Sequence, residues 1–223
     1  MKKTAIVLGA TGLTGLILLE KLISDDRYES IKLFSRKKIE GLPSKVKQFI
    51  GDILELENFS ANFKANEVFC CIGTTAKKTP NKELYKSIDY GIPVTAAKLS
   101  KLNNIPIFVV VSAMGANANS TIFYNKTKGE MEQEVLRQNI PNTFILRPSI
   151  IKGNRKETRI GEKIVLTIFK LFQPLMIGKL KKYKIIEAKD IVNTMVKLAN
   201  TKASTEKIIT SDYIKEISKT KNN

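Results

Sequence analysis

Tyr124 and Lys128 stand four residues apart in Tyr124-Asn125-Lys126-Thr127-Lys128, within a helical pattern that runs from about Ser120 to Gln138. That spacing puts both side chains on one helix face. An ammonium beside a phenol favours the phenolate and lowers its pKa, so the hydroxyl can exchange a proton with a carbonyl or alcohol oxygen. Ser112 follows the apolar run Ile105 to Val111, at a strand's carboxyl end, where its hydroxyl could hold that oxygen. The chain contains no histidine, which excludes a Ser-His-Asp triad, a Cys-His pair and the common zinc sites. The expectation is therefore a catalytic set of Ser112, Tyr124 and Lys128 and no metal. A Tyr-x-x-x-Lys match also arises by chance as a surface pair; its weight here comes from what precedes it.

Near the N-terminus the apolar run Thr4 to Leu8 is stopped by Gly9, and a helical pattern follows from Leu13 to Ile23. The connection reads Gly9-Ala10-Thr11-Gly12-Leu13-Thr14-Gly15. Glycines so spaced permit a tight turn, let backbone N–H groups approach a diphosphate and let the helix pack closely on the sheet, while the helix N-terminus favours the negative charge. The strand-turn-helix context favours dinucleotide binding over a purely structural turn. The second strand ends in Phe34-Ser35-Arg36-Lys37-Lys38. A carboxylate there would repel a 2′-phosphate, whereas Ser35, Arg36 and a neighbouring lysine attract one. NADP(H) is thus expected over NAD(H), the alternative being that these are solvated loop cations. Asp52, after the third strand, is placed to reach an adenine amino group, although turn formation explains an Asp there equally well. Gly73-Thr74-Thr75 ends the fourth strand, again at the carboxyl edge where an open parallel sheet takes its ligands.

Further apolar runs at Ile31 to Phe34, Val46 to Ile50, Glu67 to Ile72, Ile105 to Val111 and Thr143 to Leu146 are separated by stretches long enough for crossover helices. Strands alternating with helices imply an α/β fold with a doubly wound parallel sheet. The stretch from Pro80 to Leu102 is helical in pattern, with Gly91-Ile92-Pro93 set to kink or split it. Asp190 precedes the periodic set Ile191, Met195, Val196 and Leu198 and reads as an N-cap or first-turn acid. A single domain over residues 1–223 is expected, with 149–189 as a variable substrate segment and 212–223 as a frayed tail. Within that segment, residues from Gly161 to Phe172 have the spacing of an amphipathic helix. It could be a lid or sheet-packed helix, a subunit interface or, with the basic stretch Lys179 to Lys184, an anionic membrane contact.

The 223 residues are 43% hydrophobic and 26% charged, ordinary for a globular protein, but the net charge is +17. Such a charge suits anionic partners, nucleic acid among them. The lysines stand in short groups such as Lys37-Lys38 and Lys77-Lys78, and no helix-turn-helix, zinc or RNA-binding signature accompanies them. A small-molecule substrate, no nucleic acid, no membrane insertion and a monomer or homodimer are expected. Cys70 and Cys71 are adjacent and form no disulfide framework; with no signal-peptide core at the N-terminus, a reducing cytoplasm is the expected location.

Gly9 to Gly15, Ser35-Arg36, Gly51-Asp52, Ser112, Tyr124-x-x-x-Lys128 and Leu146-Arg147-Pro148 together resemble the extended and atypical branches of the short-chain dehydrogenase/reductase superfamily. Within them, Cys70-Cys71-Ile72-Gly73-Thr74-Thr75, Ile88-Asp89-Tyr90 and Tyr124 to Glu130 are most similar to the small Tat-interacting-protein-like oxidoreductases. The resemblance implies a Rossmann fold, NADPH binding, Tyr124 as acid and base, Lys128 touching the nicotinamide ribose as well as tuning Tyr124, and the loop after Pro148 beside the nicotinamide. The cofactor contacts expected are then Gly9, Thr11, Gly12, Leu13, Thr14, Gly15, Ser35, Arg36, Asp52, Gly73 and Thr74, with Tyr124, Lys128 and Pro148 at the reactive end. Many extended members carry Asn in the middle helix to support a proton relay; the matching place here is Asp89, which puts that relay in doubt. An NADP(H)-dependent oxidoreductase acting on a small carbonyl or alcohol is the expected function, with a cofactor-sensing regulator that performs no turnover as the alternative.

Overall fold

The first strand, β1 (Lys3–Leu8), sends Ala5 and Val7 into one apolar cluster and Ile6 and Leu8 into another, and all four are fully buried. A strand covered on both faces reads as a continuous apolar run, which is the mark of a parallel sheet between helices. The structure, a computed structural model describing residues 2–152, 184–201 and 206–220, has that arrangement. The strands β2 (Tyr28–Ser35), β3 (Val46–Ile50), β4 (Glu67–Cys70), β5 (Ile107–Val111) and β6 (Asn142–Arg147) join β1 in one sheet. The short β7 (Ile151–Lys152) and β8 (Ile186–Glu187) pair separately, and β9 (Ile208–Thr210) closes the main sheet. Its order is β3-β2-β1-β4-β5-β6-β9, parallel throughout. Leu8, at the end of β1, lies between Phe34 and Cys70, so the order reverses beside it.

Helices α1 (Leu13–Ile23), α5 (Ala188–Asn200) and α6 (Ser211–Lys219) cover the face that carries Val7, Phe69 and Val109. Helices α3 (Ile92–Leu102) and α4 (Phe123–Arg137) cover the face that carries Leu8, Val68 and Phe108. The doubly wound sheet expected from the apolar runs is thus present. At its amino edge the fully buried Glu67 accepts hydrogen bonds from Lys3 Nζ at 2.5 Å and the Tyr28 hydroxyl at 2.7 Å. Asn200 joins the cluster, accepting from Lys3 Nζ at 2.8 Å and donating to the Tyr28 oxygen at 3.0 Å, which ties the end of α5 to the strands. Burial pushes the Glu67 carboxyl above its ordinary range, although Lys3 and Tyr28 both pull it down.

The kink expected in the 80–102 helix is a π turn, Ser87–Gly91, between α2 (Lys82–Lys86) and α3. Pro93 falls in the first turn of α3, where its missing N–H costs nothing. The expected frayed tail is corrected: residues 211–219 are helix, because Ile214 is fully buried and Lys197 Nζ donates to the carbonyls of Ile217 and Ser218, both at 3.0 Å. The proposed amphipathic helix at 161–172, and the basic stretch up to residue 183, lie outside the described residues. Among the described residues no helix is long and apolar enough to cross a membrane.

Candidate functional site

Gly9 has φ +83°, a conformation that disfavours any side chain, and a Cβ there would lie 2.8 Å from the carbonyl carbon and oxygen of Cys71. The turn after β1 therefore presses against the chain leaving β4, at the point where strand order reverses and an open sheet leaves a crevice. A Cβ on Gly15 would stand 2.1 Å from the Gly9 oxygen, so the first turn of α1 stacks on the loop without room for a side chain. Gly12 donates its N–H to that oxygen at 3.0 Å and is the N-cap of α1, with no side chain capping the helix. Of the expected contacts in this turn, Thr11 and Gly12 are exposed, Leu13 is half-buried, and Thr14 and Gly15 are buried. A cradle that Cβ atoms would fill, at a helix start free of side-chain caps, fits a diphosphate.

At the end of β2, Ser35 Oγ donates to the Lys37 carbonyl at 2.8 Å and Arg36 is exposed. No carboxylate forms an ion pair with Arg36 among the described residues. Asp52 caps the 3₁₀ segment Ile53–Phe59, its Oδ1 accepting from the Leu54 N–H at 3.0 Å, so the turn-forming role weighed for it is real.

Lys128, on α4, has its ammonium 2.8 Å from Asp89 Oδ1, with the two side chains only 4% and 1% exposed. The π turn aims Asp89 at this place, and its Oδ2 accepts the Thr74 N–H at 2.6 Å. A Cβ on Gly73 would lie 3.7 Å from Asp89 Oδ1 and 3.9 Å from Lys128 Nζ, so the ion pair sits directly under the chain leaving β4. Gly9, Cys71, Gly73 and the Lys128–Asp89 pair thus form one continuous path from the glycine turn to the helix carrying Tyr124. The expected lowering of the Tyr124 pKa is corrected. Desolvation pushes its phenol up, Lys128 pulls it down, Asp89 pushes it up, and the net shift is upward. The physical reason is that burial of the phenol outweighs the pull of Lys128, which Asp89 further offsets. For Lys128, burial lowers the pKa, but Asp89 and Tyr124 outweigh it and hold the amine charged. Burial pushes the neighbouring Cys70 thiol up to about 11, keeping it protonated.

Tyr124 is 41% exposed and lines a cavity of about 460 Å³ together with Thr74, Thr75, Ala76, Thr79, Pro80, Lys82, Tyr85, Ile122 and Phe123. Tyr85 stands edge-on to Tyr124, ring centres 6.5 Å apart, and edge-on to Phe123 at 5.5 Å. The hydroxyls of Thr74 and Thr79 are hydrogen-bonded at 2.8 Å on the same wall. Ser112 is buried and its hydroxyl donates to Glu132 Oε1 at 2.5 Å. Arg147 clamps Glu132 in turn, Nε lying 3.0 and 3.2 Å from the two carboxylate oxygens while Nη2 contacts Oε2. Pro148 accepts the Met114 N–H at 3.1 Å, so the loops after β5 and β6 adjoin.

The structure therefore brings together the glycine turn, Gly73, Thr74, Tyr124 and Lys128, and it gives the Ser112 proton to a carboxylate. Sequence reasoning missed Glu132, Thr79 and Tyr85. Glu132 had a signal: it follows Lys128 by four residues, as Lys128 follows Tyr124, on one face of α4.

Parallel strands in this order, a glycine turn at the switch point and a Tyr-x-x-x-Lys helix define a Rossmann protein of the atypical short-chain dehydrogenase/reductase class. The chain is 36% identical over 165 residues to the protein FMP52-1, mitochondrial, of Scheffersomyces stipitis, an alignment covering 70% of each. It is 29% identical over 171 residues to the rat protein HTATIP2, covering 75% of this chain and 70% of the rat protein. The chain belongs to the FMP52 family.

Among solved structures it resembles WbmG of Bordetella bronchiseptica in complex with NAD, with a TM-score of 0.70 at 13% identity, covering 94% of this chain and 72% of that one. UDP-glucuronic acid 4-epimerase of Bacillus cereus in complex with NAD gives 0.69 at 15% identity, covering 92% and 77%. At these identities the likeness shows the fold. No protein-family profile matches the chain. The expected cytoplasmic location is overturned: the FMP52 relatives from five yeasts are named mitochondrial.

Proposed function

We propose that the chain is an NADP(H)-dependent oxidoreductase that interconverts a small carbonyl compound and its alcohol. The observation that carries this reading is the continuous path from the Gly9 turn, through Gly73, to a buried lysine one helical turn from a tyrosine on a cavity wall. Gly9, Thr11, Gly12, Leu13, Thr14 and Gly15 would hold the diphosphate. Ser35 and Arg36 would hold the 2′-phosphate, in keeping with the lack of an acid at the end of β2. Gly73, Thr74, Lys128 and Pro148 would border the nicotinamide end, and Asp52 would stand by the adenine end. When bound, the dinucleotide supplies or accepts the hydride. Tyr124 gives its proton to the carbonyl oxygen during reduction, and Lys128 stabilises the phenolate left behind. Ser112 can donate to a substrate oxygen only after leaving Glu132; the Thr74–Thr79 pair supplies a hydroxyl on the cavity wall without that step.

The experiment is NADPH oxidation by Tyr124→Phe over a panel of ketones and aldehydes. A variant that binds NADPH like the wild type and turns over at least about a hundredfold more slowly is expected, the usual weight of one positioned general acid. Equal turnover rejects Tyr124 as the acid. A second reading, an NADP(H) sensor without turnover, is favoured by the raised Tyr124 pKa and by Asp89 compensating Lys128. It takes over if the wild type binds NADPH tightly and oxidises it with no carbonyl on the panel.

A further inference from the structure

The cavity beside Tyr124 is graded along its wall. Its wall carries the Tyr124 ring and the hydroxyl pair Thr74–Thr79. Tyr85, only 4% exposed, follows as a fixed edge-on partner, and Phe123 stands 5.5 Å beyond it. Lys82 Nζ lies 5.7 Å over the Phe123 ring. A cation is thus stationed two aromatic rings away from the tyrosine. Lys82 is exposed and, among the described residues, forms no ion pair and shares the cavity with no carboxylate. A volume of about 460 Å³ suits a small ligand. Hydrocarbon and ring faces also dominate where a sugar would need polar partners.

We propose that this cavity takes a carbonyl compound with a flat, apolar body ending in a carboxylate. The body lies along Tyr85 and Phe123, and the carboxylate meets Lys82. Placing the carbonyl at Tyr124 rests on the function proposed above; the body and the carboxylate are read from the wall itself.

The probes are benzylacetone and its para-carboxylate, titrated calorimetrically into the full chain without cofactor. The carboxylate is expected to bind about fivefold more tightly, the upper value for a solvent-exposed ion pair, and added salt should erode the difference. Lys82→Glu should reverse the preference by a similar factor. Phe123→Ser should weaken both probes alike, and unchanged melting temperatures would show that the two substitutions leave the fold intact. Equal affinity of the two probes for the wild type, a preference that survives Lys82→Glu, or binding of neither probe overturns the proposal. Failure of the parent reading looks different. If the carboxylate binds through Lys82 yet is never reduced with NADPH, the cavity assignment stands and carbonyl reduction falls. If neutral ketones are reduced with the same KM as acidic ones, reduction stands and the carboxylate site falls.

Discussion

Replacing Asp89 by alanine leaves the Lys128 ammonium, 4% exposed, without the carboxylate that lies 2.8 Å away. Removing one partner of a buried pair strands an uncompensated charge, which costs about 3 to 5 kcal/mol. For a protein of this length each kcal/mol lowers the melting temperature by about 2 to 4 °C, so a fall of roughly 6 to 20 °C is expected in calorimetry or circular dichroism. The Thr74 N–H also loses its acceptor at 2.6 Å, which pushes the loss toward the upper end. Asp89→Asn keeps an oxygen for Thr74 and should lose less. In that variant the charge on Lys128 acts on Tyr124 without Asp89 opposing it, so the phenol should titrate at lower pH, as followed by NMR of ring-labelled tyrosine with Tyr124→Phe for assignment. A melting temperature within about 2 °C of wild type in Asp89→Ala, or a Tyr124 titration that does not move in Asp89→Asn, would refute the coupling of these three groups.

Arg36→Ala should weaken NADPH binding by roughly ten- to a hundredfold, the worth of a charged hydrogen bond, and leave NADH binding unchanged; equal loss for both nucleotides would remove Arg36 from the 2′-phosphate. Glu67→Gln tests the buried cluster at the amino edge. Because the folded carboxyl has its pKa above the unfolded value of 4.5, the folded chain holds the proton more tightly. The contribution of Glu67 therefore improves as pH falls through the folded pKa toward 4.5 and worsens as pH rises through the same window. Denaturant unfolding should show wild type gaining on Glu67→Gln as the pH drops from 7 to 4.5, and the opposite slope would mean that Lys3 and Tyr28 overcome desolvation.

How much of this was legible in the residues follows from how local each feature is. The central strands β1, β4 and β5 and the glycine turn announce themselves because a doubly covered strand is apolar throughout, and Gly9 needs a conformation that a side chain resists. The edge strand β9 has three residues in a polar stretch, too few to show a period. Helix α6 hides for a related reason: polar residues dominate it, and its burial is concentrated at Ile214, with Tyr213 and Ile217 partly buried beside it. At the site, the Tyr124 and Lys128 spacing is helical and readable. The partner of Lys128 comes from 39 positions away on a π turn, and no local pattern foretells that Asp89 would compensate the lysine. Ser112 is similar, since its hydroxyl is claimed by a carboxylate on another element.

Calorimetric titration of the purified chain with NADPH and NADH, beside Gly12→Val, asks most directly whether the first turn holds a dinucleotide. Gly12 has φ −83°, which any residue adopts, and a Cβ there would lie 3.3 Å from the Gly9 oxygen, so the variant should fold while its side chain blocks the diphosphate. One-to-one binding that favours NADPH in the wild type and disappears in the folded variant is the expected result. No heat with either nucleotide, or equal binding by wild type and variant, would contradict it.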